Sequence, residues 1–325
     1  MIYFYNKSLD PCYNLAYEEY FFRNCPEGET VFGLWQNDNT IVIGRNQNPH
    51  NEINAEFVKK HGIKVVRRLT GGGAVYHDMG NVNFSFIAPV EGDGSIDFSR
   101  FTNSIIAALA SFGVKAENQG RNDIAINGFK ISGNAQHISG GRILHHGTLL
   151  FDSDLSVLGK CLVSSQEKLA ARGVSSVRSR VANIKDFGLF GVSVADFIDR
   201  LREFIAPGEK LNRFEPDIHR IEELKNNKYA TWEWVYGASP DGDMEFKRRF
   251  ENVGSVAVNL STEGGVIKDC RISGDFFGNG DMAELEKKLT GVRLDAESIR
   301  ESLEDFELSY YINGMIAKEF CRLFE

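Results

Sequence analysis

Two short stretches hold the residue types that could do chemistry. In GRNDIAINGFKISGNAQ, residues 120–136, Asp123 and Lys130 flank an Asn127-Gly128 pair. Asn-Gly between alternating apolar residues signals a two-residue hairpin turn. That turn sets Ile126 opposite Phe129, Ala125 opposite Lys130, Ile124 opposite Ile131 and Asp123 opposite Ser132. Alternation then sends Ile124, Ile126, Phe129 and Ile131 to the core face, and Asp123, Ala125, Lys130 and Ser132 to the other. Lys130 and Asp123 become diagonal neighbours, about 7–8 Å apart at Cα. Small residues (Ala125, Ser132, Gly133) leave room beside the lysine. An ammonium and a more distant carboxylate could hold phosphate between the amine and a Mg2+ ion on Asp123. A solvated face carrying an exposed lysine is the other reading.

The second stretch is RRLTGGGAVYHDMGN, residues 67–81. Three adjacent glycines lose much backbone entropy on ordering, so an ordered run needs a reason. One reason is a tight turn between strands. The other is close approach of backbone N–H groups to an anion or an extended ligand. Arg68 favours the second, because guanidinium suits phosphate and carboxylate. The spacing is neither a P-loop, which needs GK[ST], nor a dinucleotide fingerprint, since a strand follows the glycines. Alternation turns Tyr76 and Asp78 one way and His77 the other, which allows His77 to line a ligand and disfavours a His77-Asp78 catalytic dyad.

The surrounding elements read as an α+β sheet protein. Asp10-Pro11 caps a helix ending near Arg23. TVFGLWQ, TIVIGR, IKVVRRL, AVYHD and NVNFSFIA read as strands, and Asn54 to His61 as a short helix closed by Gly62. Phe101, Ile105, Leu109 and Phe112 recur at helical spacing. Turn formers cluster in SPDGD, residues 239–243, and mark a boundary. The expected organisation is a large domain over 1–240 and a small α+β C-terminal domain over 245–325. In the latter, Phe246 to Phe276 reads as strands and 281–325 as about three helices, with Leu285, Leu289 and Val292 as a core stripe.

The 325 residues, 42% hydrophobic and 25% charged, describe a globular protein of more than one core. No segment reads as a secretion signal or a membrane span. Five scattered cysteines without a CxxC pair fit a reduced, cytoplasmic setting and no thiolate metal site. A net charge of −8 disfavours general nucleic-acid binding.

With DPCYNLAYEEYFFR, IVIGRNQNP, HHGTLLFD and SSVRSRVANI added to the two stretches above, the chain resembles the lipoate–protein ligase family. The matches fill the N-terminal two-thirds in the family's order. The resemblance implies a biotin/lipoate protein ligase-like fold, related to class II aminoacyl-tRNA synthetase cores, with a small C-terminal accessory domain. It implies a cytoplasmic enzyme that joins lipoate to Mg·ATP as lipoyl-AMP. The lipoyl group then passes to a lysine of a lipoyl domain of 2-oxoacid dehydrogenases or of the glycine-cleavage H protein, with no nucleic acid or membrane involved. Carried over by position, Arg68, Gly73, Ala74, Val75, Tyr76, Asn122, Asp123 and Lys130 are similar to the ATP and adenylate contacts. Arg68, Gly72, Gly73, His77 and Lys130 would border lipoate, Lys130 would be catalytic, and Asp123 would take Mg2+. Lys168 to Val181, with Arg178 and Arg180, resembles the loop that closes over the adenylate. His137 follows Gln136 where some relatives carry arginine.

Two rivals share the fold. An octanoyl or lipoyl transferase would need either a thiol, which Val114 to Asn122 lacks, or direct transfer beside the lysine. A non-catalytic lipoyl-domain binder would not need Lys130 and Asp123 together. A biotin ligase would carry a GRGR-type loop in place of LTGGGAVYHD. The C-terminal domain is expected to cover the site or dock the partner, moving when the adenylate forms.

Overall fold

A computed structural model describes residues 1–92, 95–162, 181–208, 214–236 and 244–324, leaving aside the side chains of residues 50 and 51. The chain divides into two compact units. The first holds residues 1–42, 53–66 and 75–231; the second holds 43–52, 67–74 and 232–325. The SPDGD stretch and Lys168 to Arg180 lie outside the described residues.

The N-terminal strands are β1 (Ile2–Asn6), β2 (Val31–Trp35), β3 (Thr40–Ile43), β4 (Lys64–Arg67) and β5 (Val75–His77). They are followed by β6 (Asn81–Pro89), β7 (Glu117–Gln119), β8 (Asp123–Ile126), β9 (Phe129–Ser139) and β10 (Arg142–Leu150). Seven of them form one sheet in the order β1-β2-β6-β10-β9-β8-β7. β1 runs parallel to β2, and the pairs from β2 onward are antiparallel. β4, β3 and β5 make a small separate sheet. This is the mixed α+β arrangement expected from the short connections between strands.

Helices cover the large sheet because their apolar stripes have nowhere else to go. Helix Ser99–Ser111 buries Phe101, Ile105 and Leu109. Helix Val194–Ile205 opens with a Ser193/Asp196 capping box and buries Phe197, Ile198 and Leu201 in the same core. Helix Pro11–Asn24 starts at Asp10, whose carboxylate accepts from Cys12 N at 3.0 Å. Its Glu19 is buried yet gathers Arg23 Nε at 2.7 Å, Lys228 Nζ at 2.7 Å and Tyr229 Oη at 2.5 Å. Burial alone would raise its pKa; the Lys228 charge and these hydrogen bonds bring it below the usual value. One carboxylate thereby fastens the first helix to the turn at 225–229.

The second unit contains the antiparallel sheet β11 (Met244–Phe250), β12 (Gly254–Glu263) and β13 (Val266–Gly274). Short helices at Met282–Leu289, Ala296–Ser302, Leu308–Tyr311 and Ala317–Cys321 close its core. Leu285 and Leu289 are buried there, with Val292 packed against them. Among the described residues no helix is long and apolar enough to cross a membrane.

Candidate active site

The lysine hairpin forms in the first unit. Asn127 and Gly128 both take positive φ (51° and 81°), as a two-residue hairpin turn of primed type requires. Ile126 faces Phe129 and Ala125 faces Lys130, the register expected near the turn. Beyond it the ladder shifts: Ile124 pairs with Ser132 and Asp123 with Gly133, leaving Ile131 as an extra residue on β9. A bulge of this kind turns the side chains on either side of it. The expected clean division into two faces therefore fails. Ala125 and Ser132 are fully buried, and Phe129 is exposed at the tip.

Lys130 Nζ lies 2.7 Å from Asp123 Oδ1, a direct ion pair in place of the gap read from a regular ladder. Both side chains stay partly open, 36% for Lys130 and 27% for Asp123. The amine folds over Gly133, where a Cβ would come within 3.0 Å of Nζ. Glycine at 133 thus makes the room that the lysine occupies. On the outer side, Ala182 N donates to Lys130 O at 3.0 Å, so the chain re-enters beside the lysine directly after the 163–180 segment. Asn122 precedes the aspartate and donates from Nδ2 to Asn134 O at 2.6 Å.

The glycine loop belongs to the second unit. Arg68 is buried and largely turned inward: Nε donates to Thr70 Oγ1 at 3.0 Å, and NH2 donates to Gly71 O at 2.6 Å and Gly73 O at 2.9 Å. Its first task is holding the loop's own carbonyls. The three glycines differ from one another. A Cβ on Gly71 would lie 2.4 Å from Phe276 O, and Gly72, at φ +91°, donates from N to that same oxygen at 3.1 Å. A Cβ on Gly73 would meet nothing within 4 Å. Gly71 therefore lets the Phe276-Phe277 backbone pass over the loop, Gly72 leaves room for the Phe277 ring and the Arg68 guanidinium, and Gly73 faces open space. Gly71→Ala should lower stability by about 1–3 kcal/mol through overpacking against backbone. Gly73→Ala should leave the melting temperature unchanged, so any loss of ATP or lipoate binding in it reports a ligand beside that backbone. Equal thermal losses in the two variants would refute the distinction.

Of the remaining predicted positions, Val75, Tyr76 and His77 lie in the first unit and Ala74 in the second. Val75 is half-buried, with Ala74 just before it at the end of the loop segment; Tyr76 Oη donates to Asn39 Oδ1 at 3.1 Å. His77 is buried, as is Tyr76, and its Nδ1 accepts from Asn37 Nδ2 at 3.1 Å. Asp78 holds the following turn: Oδ1 accepts from Gly80 N and Asn81 N, and Oδ2 from Asp154 N at 2.7 Å. This role explains the His-Asp-x-Gly-Asn run without acid–base work. Arg178 and Arg180 lie outside the described residues.

Two residues outside the sequence reading matter. Arg67 is the more deeply buried of the two arginines, with five hydrogen bonds to main-chain carbonyls. Asn134 connects the Asn122 turn to the centre of the sheet. The Asn in SGNAQ, four residues past the lysine, was the one available signal for the latter.

A metal cage is absent among the described residues: no three His, Cys, Asp or Glu side chains gather. Mg2+ needs none, since it takes one or two carboxylates and completes its shell with water and phosphate oxygens. A partly open Asp123 fits that requirement.

Comparison with known proteins follows the same lines. The family model described as Lipoyl protein ligase A/B catalytic domain matches residues 10–206, and that of the Bacterial lipoate protein ligase C-terminus matches 239–324. The lipoate-protein ligase LplJ of Bacillus subtilis is 40% identical over 99% of each chain. A solved structure of a bi-partite lipoate protein ligase with its E2 lipoyl domain, from Thermoplasma acidophilum, is 29% identical, with a TM-score of 0.65 over 75% of this chain and 98% of that one. A lipoate-protein ligase A bound with ATP is 28% identical, with a TM-score of 0.62 over 73% and 98%. With two family models that between them match most of the chain and a near-full-length relative at 40% identity, the chain belongs to the lipoate–protein ligase family.

Proposed function

We propose that this enzyme joins lipoate to ATP as lipoyl-AMP and then transfers the lipoyl group to a lysine of a lipoyl domain or H protein. The observation that carries the site assignment is the Lys130–Asp123 pair over Gly133. In the first step a carboxylate oxygen of lipoate attacks the α-phosphorus of ATP, and the bond to the bridging oxygen breaks to release pyrophosphate. Negative charge grows on the α-phosphoryl oxygens during that exchange. A fixed ammonium beside them stabilises the transition state more than the ground state. Lys130 is therefore an electrostatic catalyst and not a nucleophile.

Asp123 serves two partners. Before ATP binds it compensates the Lys130 amine; with ATP present it would hold Mg2+. The ion supplies charge neutralisation and orientation on the polyphosphate. Arg68 keeps the loop carbonyls of Gly71 and Gly73 in place, and Gly73 leaves its backbone approachable. We assign Gly72, Gly73, Ala74, Val75, Tyr76, His77 and Asn122 to the surroundings of the adenylate and acyl chain on the family's pattern. In the second step the acceptor's lysine amine attacks the acyl carbonyl; AMP leaves and one proton is released.

The catalytic part spans 1–240 and the accessory part 245–325, a division supported by where the two family models match. The lipoyl domain beside the Thermoplasma ligase supports the choice of acceptor. Five free thiols support a reduced, cytoplasmic setting. A thioester-using transferase finds little support: Cys161 is fully buried, its thiol pushed up to about 12 by burial, and such a thiol is a poor nucleophile. The deciding assay is lipoate-dependent ATP–pyrophosphate exchange. It should appear with lipoate and ATP alone. Activity only with octanoyl carrier protein, and no exchange, would overturn the ligase reading.

A further inference from the structure

We infer that Asn134 is a positioning residue that sets the Asp123–Lys130 pair, acting through Asn122 and held in one orientation by His145. The inference rests on the assignment of that pair to adenylation. In the regular register Asp123 would face Ser132; the extra Ile131 makes it face Gly133. A bulge leaves part of the ladder unpaired, so something must hold the strands beyond it.

Asn134 does so with its partner Asn122. Asn134 N donates to Asn122 O at 2.9 Å, and Asn134 Nδ2 donates to the same oxygen at 3.0 Å. Asn122 Nδ2 returns a bond to Asn134 O at 2.6 Å. The residue next to Asp123 is thus tied at both its carbonyl and its side chain to a single position on β9. Lys130 lies on the other side of the bulge in the same two strands.

The orientation of the Asn134 amide follows from a chain of donors and acceptors. Gln136 Nε2 donates to Asp97 O at 2.5 Å and lies 2.9 Å from His145 Nδ1. Facing a donor, Nδ1 must accept, so a neutral His145 carries its hydrogen on Nε2. Burial pushes the His145 pKa well below the ordinary value, in keeping with a neutral ring. Nε2 lies 3.3 Å from Asn134 Oδ1, which accepts from it. The Asn134 NH2 then points to Asn122 O and to Ser132 Oγ at 3.3 Å. A flipped amide would set donor against donor at His145 and acceptor against acceptor at Asn122. Only one orientation is tolerable.

The support behind Asn134 is rigid. The His145 ring stacks on Phe84 (centroids 5.8 Å) and lies against Phe101 at 4.9 Å and Phe98 at 6.0 Å. A Cβ at Gly147 would lie 2.3 Å from Asn134 Oδ1, so the glycine of HHGTLLFD is what admits the amide. A side chain that is packed, donor-matched and tied to the residue beside Asp123 has the features of a supporting shell for a charged pair.

The test uses full-length enzyme carrying Asn134→Ala, Asn134→Asp or Lys130→Ala, and the double variant Asn134→Ala/Lys130→Ala. Lipoate-dependent ATP–pyrophosphate exchange gives kcat and the lipoate KM, and thermal melting checks folding. Asn134→Asp keeps the acceptor toward His145 and loses the donor toward Asn122. Both single Asn134 variants should lose kcat by about 10- to 100-fold, the scale of a misplacement of about 1 Å, with lipoate KM within twofold. In the Lys130→Ala background Asn134→Ala should add less loss than it causes alone, because one of the two side chains it positions is gone. A folded Asn134 variant with kcat within twofold of the unmodified enzyme, or a full additional loss in the double variant, overturns the inference. Should Asn134→Ala fail to fold, Asn134→Ser replaces it under the same criteria. Full activity in Lys130→Ala would instead remove the adenylation role of the pair, which is a separate result.

Discussion

Lys130→Ala is expected to cut lipoyl-AMP formation by about 10²–10³-fold or more, the range for removing one preorganised donor from developing negative charge. The size follows from what the amine does before and during reaction. In the free enzyme it is neutralised by Asp123 at 2.7 Å, and its side chain is only about one-third open, so little reorganisation is needed to present it. Truncation removes the charge that would lie beside the α-phosphoryl oxygens and leaves Asp123 without its cation until Mg·ATP binds. Lys130→Arg should recover little, because a planar fork cannot fold over Gly133 as the ammonium does. Stability should change little in either variant, since the pair is partly exposed and such pairs are worth about 0–1 kcal/mol. The measurement is single-turnover lipoyl-AMP formation at saturating lipoate and ATP. Near-normal rates in Lys130→Ala would leave the hairpin without a catalytic role.

How far the sequence carried this site depends on the range of the forces involved. Asn127-Gly128 fixes a turn by local backbone preference alone, and the hairpin, its tip and the Ala125–Lys130 pairing follow from it. The bulge two residues further on is not local. It depends on Asn134 bonding Asn122 and on His145 bonding Asn134, and His145 comes from the next strand. Period-2 alternation cannot carry that information, so a gap was expected where Lys130 and Asp123 make a direct ion pair, while the pair itself was found. Tyr76 and His77 are both buried, so alternation along β5 does not separate a core face from a solvated one there. The GGG run was legible as a place where Cβ atoms are excluded. Which neighbour excludes them was not, since Phe276 lies some two hundred positions away in sequence.

Arg67→Ala should be the most destabilising single substitution in the loop region, at roughly 2–4 kcal/mol or more. Arg68 is the arginine singled out from the sequence, as a guanidinium suited to phosphate and carboxylate. The structure gives Arg67 the heavier structural task, at 2% exposure. Nε donates to Trp234 O at 2.8 Å, NH2 to Val235 O at 2.7 Å, and NH1 to Gly44 O, Arg45 O and Gln47 O at 3.0, 2.7 and 2.8 Å. Trp234 Nε1 donates back to Arg67 O at 2.9 Å. One guanidinium therefore ties the 44–47 turn and the 234–235 turn to the end of β4. Burial lowers its pKa to about 10, which still leaves it charged at neutral pH. Alanine would strand up to five carbonyls, and each buried acceptor left unsatisfied costs about 1–3 kcal/mol, partly relieved by entering water. Arg67→Lys should fall between, because an ammonium has three donors at one point and cannot span carbonyls set around a fork. Chemical denaturation should show a lower midpoint for Arg67→Ala and a smaller drop for Arg67→Lys, whereas Arg68→Ala should be milder, since the bonds from Arg68 Nε and NH2 to Thr70, Gly71 and Gly73 end within the loop itself. An Arg67→Ala protein as stable as the unmodified chain would mean that the five bonds contribute nothing net, and the glycine loop would then have to owe its shape to Arg68 and the Phe276 backbone.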